Sequence, residues 1–409
     1  MLRVHAENGT RAELYYQVRC QKAKIPLPGS TVVKGLTQTE VERYSRQLVL
    51  PELGRQGQEK LKGSAVVVVG AGGLGIPTSV YLTAAGVGRI GIVDEDEVEK
   101  SNLHRQTIYT EEDVGMPKAR VAAERLRRVN PHVSVEPHEA RLSSANAMEI
   151  LKGYDVVVDC TDNFPARYLI NDACVLLGKP DVYASIFRFD GQASVFQASS
   201  GPCYRCLFPE PPPPETVQDC AVAGVLGVLP GIMGSIQAVE AMKLVLGQGE
   251  PLLGRLLLFN ATDMTFNELR FKKNPDCPVC GRKPTVRKLI DYEEFCGVRR
   301  AIPIVAEVAP MELKREIDAE ERIVLLDVRE PFEHAFCRIE NSKLIPLGEL
   351  RRRIGELDPS AETVVYCHTG VRSARAVDLL ASEGFRRVRN LKGGINAWAR
   401  EVDPKTPIY

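Results

Sequence analysis

Residues 64–75 read SAVVVVGAGGLG, a run of β-branched residues that stops abruptly in glycines. Four consecutive valines favour a short strand buried on both faces rather than a solvent-facing helix. Gly70, Gly72 and Gly75 then form G-x-G-x-x-G, with Gly73 between them, so the backbone can turn tightly at the strand's end. The next segment, IPTSVYLTAAG, reads as a helix, and RIGIVDED as a second buried strand ending in acids. Together they make a β-α-β unit, which implies a parallel sheet covered by helices on both faces.

The pattern continues downstream. KARVAAERLRRVN predicts an amphipathic helix, VSVEPHEA a strand, YDVVVDCTDN a third buried strand and ARYLINDACVLLG a helix. PDVYASIFRFDGQASVF predicts a strand and hairpin, and LLGRLLLFNATDMTFNELRF adds late strands. Near the start, TQTE offers a threonine cap with Glu40 three residues later, so a helix is expected to begin at about Thr37. The segment VLGVLPGIMGSI at 225–236 reads as a buried turn leading into the helix QAVEAMKLVL. These elements give one large Rossmann-like α/β domain at 34–285, preceded by an extension at 1–33 that reads as a loosely attached arm. A linker at 286–300 leads to a smaller α/β domain at 301–405, built from RIVLLDVRE, TVVYCHTGVRSARAVDLLASEG and VRNLKGGINAW. The run PEPPPPET at 209–216 has polyproline character and reads as mobile.

Charge narrows the function classes. Lys plus Arg and Asp plus Glu both number 53, a balance that gives no general reason to expect a nucleic-acid or membrane surface. The first residues carry early charges without the apolar core of a signal peptide, and no apolar run reaches the ~20 residues of a spanning helix. A cytoplasmic protein is the expectation.

The glycine turn on its own suggests a dinucleotide oxidoreductase, with Asp94 at the end of the second strand placed to accept ribose hydroxyls. The residues beyond Asp94 depart from that class. Asp96, Ser101, Asn102, Leu103, His104, Arg105 and Gln106 read as pocket wall, and GMPK brings Lys118. An early RYSRQ adds Arg46. A triphosphate attacked at its α-phosphorus needs several cations, because charge on the equatorial oxygens grows in the transition state. Asp162, followed by Asn163 at the end of VVVDCTDN, is a carboxylate able to hold Mg2+ on phosphate oxygens. No G-x-x-x-x-G-K-[ST] occurs, so a conventional P-loop is not expected. An NAD-dependent oxidoreductase and a non-catalytic scaffold remain as competing classes.

In this order, RYSRQLVLPELGRQGQEKL, GAGGLG, DEDEVEKSNLHRQ, GMPKA and DCTDN make residues 40–280 resemble the ubiquitin-activating-type adenylyltransferases that serve sulfur-carrier proteins. The resemblance implies ATP and Mg2+ as cofactors, with the nucleotide held by the Gly70–Gly75 loop and Asp94. It implies that Arg105 and Lys118 act on the phosphates and that Asp162 is the catalytic, magnesium-associated aspartate. The substrate it implies is a small ubiquitin-like carrier whose C-terminal Gly-Gly carboxylate is adenylylated. It also implies a homodimer, with Arg46 reaching across into the neighbour's site.

Cys203/Cys206 and Cys277/Cys280 are two C-x-x-C pairs with 70 residues between them, an arrangement that lets two distant turns share one tetrahedral Zn2+. Redox pairs are the rival, but neither pair sits at a strand–helix junction. Four thiolates leave no open coordination position, so the role expected is structural.

Cys367 ends the strand TVVYC, with Arg372 in the following loop and Ser373 beginning a helix. Loop N–H groups, a helix start and an arginine favour a thiolate or persulfide there. Arg372 follows Cys367 by five residues, one fewer than in the C-x5-R cradle of cysteine phosphatases. The 301–405 segment resembles a rhodanese domain through Asp327-Val-Arg-Glu330, CHTGVRSARA and GGINAW. That resemblance implies a persulfide on Cys367, Arg329 helping to shape the site, and a sulfur donor such as a cysteine desulfurase or thiosulfate. Cys220, between the proline run and an apolar segment, reads either as a core cysteine or as a second covalent thiol, the role its counterpart has in two-domain relatives of this kind.

Overall fold

The computed structural model describes residues 35–212, 224–297, 305–319 and 322–409, together with the backbone of 3–5 and 11–13. They form two compact units, one ending at Ile290 and the other running from Asp291 to Tyr409. Of the arm expected at 1–33, Arg3–His5 and Arg11–Glu13 pair as a short antiparallel ribbon, β1 and β2. The rest of the arm, half of the proline run and part of the linker lie outside the described residues.

In the first unit the valine run is strand β3 (Ala65–Val69) and RIGIV is β4 (Arg89–Val93). β5 (Ser134–His138), β6 (Val156–Asp159), β7 (Asp181–Phe187), β8 (Asp190–Phe196), β9 (Arg255–Asn260) and β10 (Thr265–Arg270) come after them in the chain. They join in one eight-stranded sheet of order β10-β9-β8-β7-β6-β3-β4-β5. β7, β6, β3, β4 and β5 run parallel, and the hairpin partners β8, β9 and β10 are antiparallel. The chain leaves β3 toward β4 and β5, then returns to the other side of β3 for β6. That reversal opens a crevice beyond the carboxyl ends of β3 and β6, where open α/β sheets take ligands.

Helices cover the sheet. Gly75–Ala85 closes on Gly86 in the left-handed conformation, and Lys118–Val129 buries Ala119, Val121, Ala122, Ala123 and Leu126 against it. Thr37 caps Gln38–Arg43 in a full capping box with Glu40, as TQTE predicts. The segment read as a buried turn differs: the helix begins at Leu229 and runs unbroken to Leu246, with Pro230 in its first turn, where a missing N–H costs nothing. Its Gly234 serves contact rather than turning. A Cβ on Gly234 would lie 2.5 Å from the carbonyl oxygen of Leu74, so this helix meets Gly75–Ala85 backbone to backbone. Among the described residues it is the one helix long and apolar enough to cross a membrane, yet 61% of it is buried within the protein. Gln237 on its inner face donates to the carbonyls of Asp159 at 2.7 Å and Val182 at 3.0 Å, tying it to β6 and β7.

The second unit holds five parallel strands, β11 (Glu307–Val308), β12 (Ile323–Asp327), β13 (Lys343–Leu344), β14 (Glu362–Tyr366) and β15 (Val388–Leu391), in the order β11-β15-β14-β12-β13. Along β14 the faces alternate: Val365 joins one apolar cluster with Leu380 and Phe385, while Val364 and Tyr366 join another with Ile395 and Trp398. Both faces are therefore covered, and the strand delivers Cys367 directly at its carboxyl end.

Candidate functional site

At the end of β3, Gly70 adopts φ +100°. A Cβ there would sit 2.7 Å from the carbonyl oxygen of Cys160 at the end of β6, and one on Gly75 would sit 1.8 Å from the Gly70 carbonyl. Only glycine fits either position, and the second fixes the first turn of Gly75–Ala85 against the strand end. Among the described residues no side chain caps that helix; the Ile76 N–H bonds to the Gly72 carbonyl at 3.0 Å and Pro77 has none, so its positive end acts at the loop mainly through the helix dipole. Gly72 faces the segment after β4, where a Cβ would lie 3.5 Å from Gln106 Nε2, and Gly73 lies against Pro230, where a Cβ would stand 3.0 Å from its Cβ and 3.7 Å from Arg105 Cγ.

Asp94, expected at a ribose, is already at work inside the protein. Its carboxylate accepts the N–H of Ala71 at 2.6 Å and of Asp96 at 2.8 Å, so it clamps the glycine loop to β4. Burial raises its carboxyl above the ordinary range, against those two bonds and the Lys118 charge. Lys118 opens the helix Lys118–Val129, is buried, and pairs with Asp96 at 2.9 Å. Arg105 donates to the Ser101 carbonyl at 2.9 Å and lies 2.9 Å from His104 Nε2. Burial and then the Arg105 charge hold the His104 imidazole below its usual range. Gln106 is buried, its amide nitrogen lies 3.5 Å from where a Cβ on Gly72 would stand, and its amide oxygen has no hydrogen-bond partner among the described residues.

Other predicted residues have local duties. Asn102 is buried and accepts the Glu99 N–H at 3.3 Å, Ser101 donates to Glu99 at 3.1 Å, and Leu103 packs on the core. Asp162 is exposed just beyond β6 and receives the Asn163 amide at 3.4 Å, while Asn163 caps Phe164–Leu177 through the Ala166 N–H. Arg46 lies exposed on Ser45–Leu48, and among the described residues no hydrogen bond or ion pair joins it to the glycine loop.

Sequence reasoning missed three supports. The buried Tyr109 hydroxyl donates to the Ala71 carbonyl at 2.9 Å and lies 3.3 Å from that of Lys118, linking loop to lysine. Asp159 takes the Thr161 N–H at 2.9 Å and hydroxyl at 2.6 Å, shaping the turn that presents Asp162. Arg167 is buried beneath that turn, donating to Ser185 at 2.9 Å and the Thr161 carbonyl at 3.3 Å. The one available signal was an arginine and a tyrosine inside otherwise apolar helical or turn patterns.

The four C-x-x-C sulfurs converge. Cys203–Cys206, Cys203–Cys277 and Cys206–Cys280 are 3.9, 3.6 and 3.4 Å apart, and all four lie within 4.8 Å of one another. Four thiolates at ~2.3 Å from one ion stand about 3.8 Å apart, so the set fits a tetrahedral cation. The buried Arg205 beside Cys206 forks onto buried Asp172 at 2.8 Å through two nitrogens, anchoring this knuckle to Phe164–Leu177.

In the second unit Cys367 is buried, and its Sγ receives the Gly370 N–H at 3.2 Å and the Ser373 hydroxyl at 3.3 Å. Two details differ from the sequence reading. The helix starts at Val371, so Arg372 belongs to its first turn rather than to the loop, and Ser373 lies inside it. Arg372 also does not stand free beside the sulfur: it forks onto the buried carboxylate of Glu333 at 2.8 and 2.7 Å. Arg329 is buried, paired with Asp327 at 2.6 Å. Cys220 lies outside the described residues.

Comparison with known proteins agrees with this layout. The ThiF family profile matches residues 44–279 and the rhodanese-like domain profile residues 309–401. The chain is 59% identical to the sulfur carrier protein adenylyltransferase of Thermus thermophilus over 268 residues, 64% of this chain and 99% of that protein. It is 43% identical to the adenylyltransferase and sulfurtransferase MOCS3 of Drosophila sechellia over 399 residues, 93% of this chain and 88% of that one. Among solved structures, Escherichia coli MccB crystallised with ATP matches in fold, at TM-score 0.52 and 24% identity, over 58% of this chain and 74% of that chain. The chain is a ThiF-family adenylyltransferase fused to a rhodanese-like domain.

Proposed function

We propose that the enzyme adenylylates the C-terminal Gly-Gly carboxylate of a small ubiquitin-like sulfur carrier and then converts it to a thiocarboxylate. The observation that carries the reading is the crevice at the β3–β6 reversal. The start of Gly75–Ala85, the buried Lys118 and Arg105 gather there on one side, and the exposed carboxylate of Asp162 stands at the end of β6. A carboxylate oxygen of the carrier attacks the α-phosphorus of ATP, the bond to the β-phosphate oxygen breaks, and pyrophosphate leaves. Lys118 and Arg105 face the growing negative charge, and Gly70–Gly75 with Asp94 hold the nucleotide. Mg2+, when bound on the oxygen donors of Asp162, neutralises phosphate charge. The exposure of Arg46, beside Val49 and Leu50 at 72% and 50% exposed, favours a homodimer in which this arginine serves the neighbouring subunit.

A persulfide on Cys367 then attacks the acyl carbon and AMP departs, leaving an acyl disulfide. A second thiol, for which Cys220 is the candidate, attacks the Cys367 sulfur. The carrier thiocarboxylate leaves, and an external thiol reductant restores the resulting disulfide. The persulfide comes from a cysteine desulfurase or from thiosulfate. The four-cysteine cluster binds Zn2+ in a structural role, because its geometry is closed.

Incubation with ATP, magnesium and Gly-Gly-tailed carriers, followed by intact-mass measurement, tests the reading. A carrier heavier by one AMP, and after a sulfur donor by the exchange of oxygen for sulfur, is the expected result. Retention of a nicotinamide instead of ATP would favour the oxidoreductase class, and binding of carriers without turnover the scaffold.

A further inference from the structure

Tyr409 holds a position at the Cys367 loop that the chemistry above leaves unused. Its ring stacks on His368, the residue after Cys367, with centroids 4.4 Å and planes 23° apart. Its main-chain oxygen lies 2.5 Å from His368 Nε2. Its hydroxyl accepts from Arg329 Nη1 at 2.8 Å and donates to Glu333 Oε1 at 2.8 Å. A phenol has one proton to give and lone pairs to receive, so both contacts are satisfied at once.

The second of these contacts bears on reactivity. Glu333 is an enclosed carboxylate that takes both prongs of Arg372, the cation nearest in sequence to the sulfur. An anion there competes with an anionic sulfur species for that guanidinium. A hydrogen bond from Tyr409 satisfies part of the Glu333 charge, which leaves more of the Arg372 field to act at Cys367.

We propose that Tyr409 is a positioning residue of the sulfurtransferase site: its hydroxyl moderates the Glu333–Arg372 fork so that an anionic sulfur donor is drawn to Cys367, and its ring fixes His368 as a wall of the loop. The proposal rests on Cys367 being the sulfur-carrying residue. With thiosulfate as donor, the Cys367 thiolate attacks the outer sulfur, the S–S bond breaks and sulfite leaves, so an anion must approach the loop and an anion must depart.

The test compares reagents of nearly equal size and different charge. Alkylation of Cys367 by iodoacetate and by iodoacetamide, followed on its tryptic peptide, gives a rate ratio that reports the positive field at the sulfur. In the full-length protein, Tyr409→Phe lowers that ratio about threefold, the low end of one hydrogen bond's contribution, while the iodoacetamide rate stays within about twofold. The same variant raises KM for thiosulfate by a similar factor and changes kcat less. In a Glu333→Gln background, Tyr409→Phe changes the ratio no further. An unchanged ratio, a parallel rise of both rates from an opened loop, or an equal drop without the Glu333 charge would each overturn the proposal. If wild-type protein gains no sulfur on the Cys367 peptide either from thiosulfate or from a cysteine desulfurase supplied with cysteine, the parent reading fails and takes the proposal with it. That outcome is separate from a persulfide that forms normally but ignores Tyr409.

Discussion

Lys118 and Asp96 are joined twice: the lysine N–H donates to the aspartate carbonyl at 2.8 Å, and the ammonium lies 2.9 Å from the carboxylate. The partners differ in surroundings, with the Lys118 side chain 8% exposed and that of Asp96 63%. A buried cation anchored by a solvated anion can turn toward phosphate without leaving the anion stranded. Lys118→Ala is expected to reduce carrier-dependent pyrophosphate release by about 100- to 1000-fold, the usual loss of one charge-stabilising group. Asp96→Asn should cost far less. Equal losses in the two variants would mean that the pair acts only as a structural link.

Gly75→Ala drives a methyl group into the Gly70 carbonyl at a separation of 1.8 Å, with backbone on both sides. The loop and the helix start must part, so ATP affinity and thermal stability should fall together. The expected destabilisation is on the order of 1–3 kcal/mol, as for other overpacked sites. Gly72→Ala is the control: its nearest neighbour is the end of the Gln106 side chain at 3.5 Å, and calorimetry should find its stability near wild type.

Removing the cation from the Cys203–Cys206–Cys277–Cys280 cluster should lower the melting temperature without abolishing pyrophosphate release below the new transition. Metal analysis should find about one zinc per chain. Arg205→Ala takes the balancing cation from the fully buried Asp172 carboxylate, which keeps the Asn171 amide at 2.9 Å, and is expected to cost about 3–5 kcal/mol. An Arg205 variant that melts like wild type would remove the anchoring role.

Glu333 gives a pH signature. Burial alone would raise its carboxyl, but the Arg372 hydrogen bonds, the Glu330 N–H and the Tyr409 hydroxyl bring it below the ordinary carboxylate range. A carboxyl depressed on folding contributes stability above its unfolded pKa, about 4.3, and loses it as pH falls through the folded value. The gap in melting temperature between wild type and Glu333→Gln should therefore be full at pH 6–7 and close progressively below about pH 4. A gap that widens under acid would reverse the sign assigned here.

Much of the fold was legible because its signals are local and redundant. Four valines before a glycine turn, an amphipathic KARVAAERLRRV and a capping box at Thr37 each specify one element through backbone preference and burial. The helix Leu229–Leu246 was partly misread because Gly231 and Gly234 look like turn residues in sequence, and only the close approach to Leu74 gives Gly234 its purpose. The convergence of the four cysteines could be expected from spacing, since a shared ion needs all of them. The supports were not legible. Tyr109, Arg167 and Glu333 act through Ala71, Ser185 and Arg372, which lie 38, 18 and 39 positions away, and no local pattern encodes a contact that the fold creates.

Activation of a carboxylate at this site requires cleavage of ATP between its α- and β-phosphates. Incubating the enzyme with Mg-ATP and a Gly-Gly-tailed carrier whose terminal carboxylate carries 18O follows that bond. After turnover, 18O is expected in the phosphate of AMP, with pyrophosphate as the other product and loss of both with Lys118→Ala. ADP and orthophosphate, or AMP free of label, would contradict it.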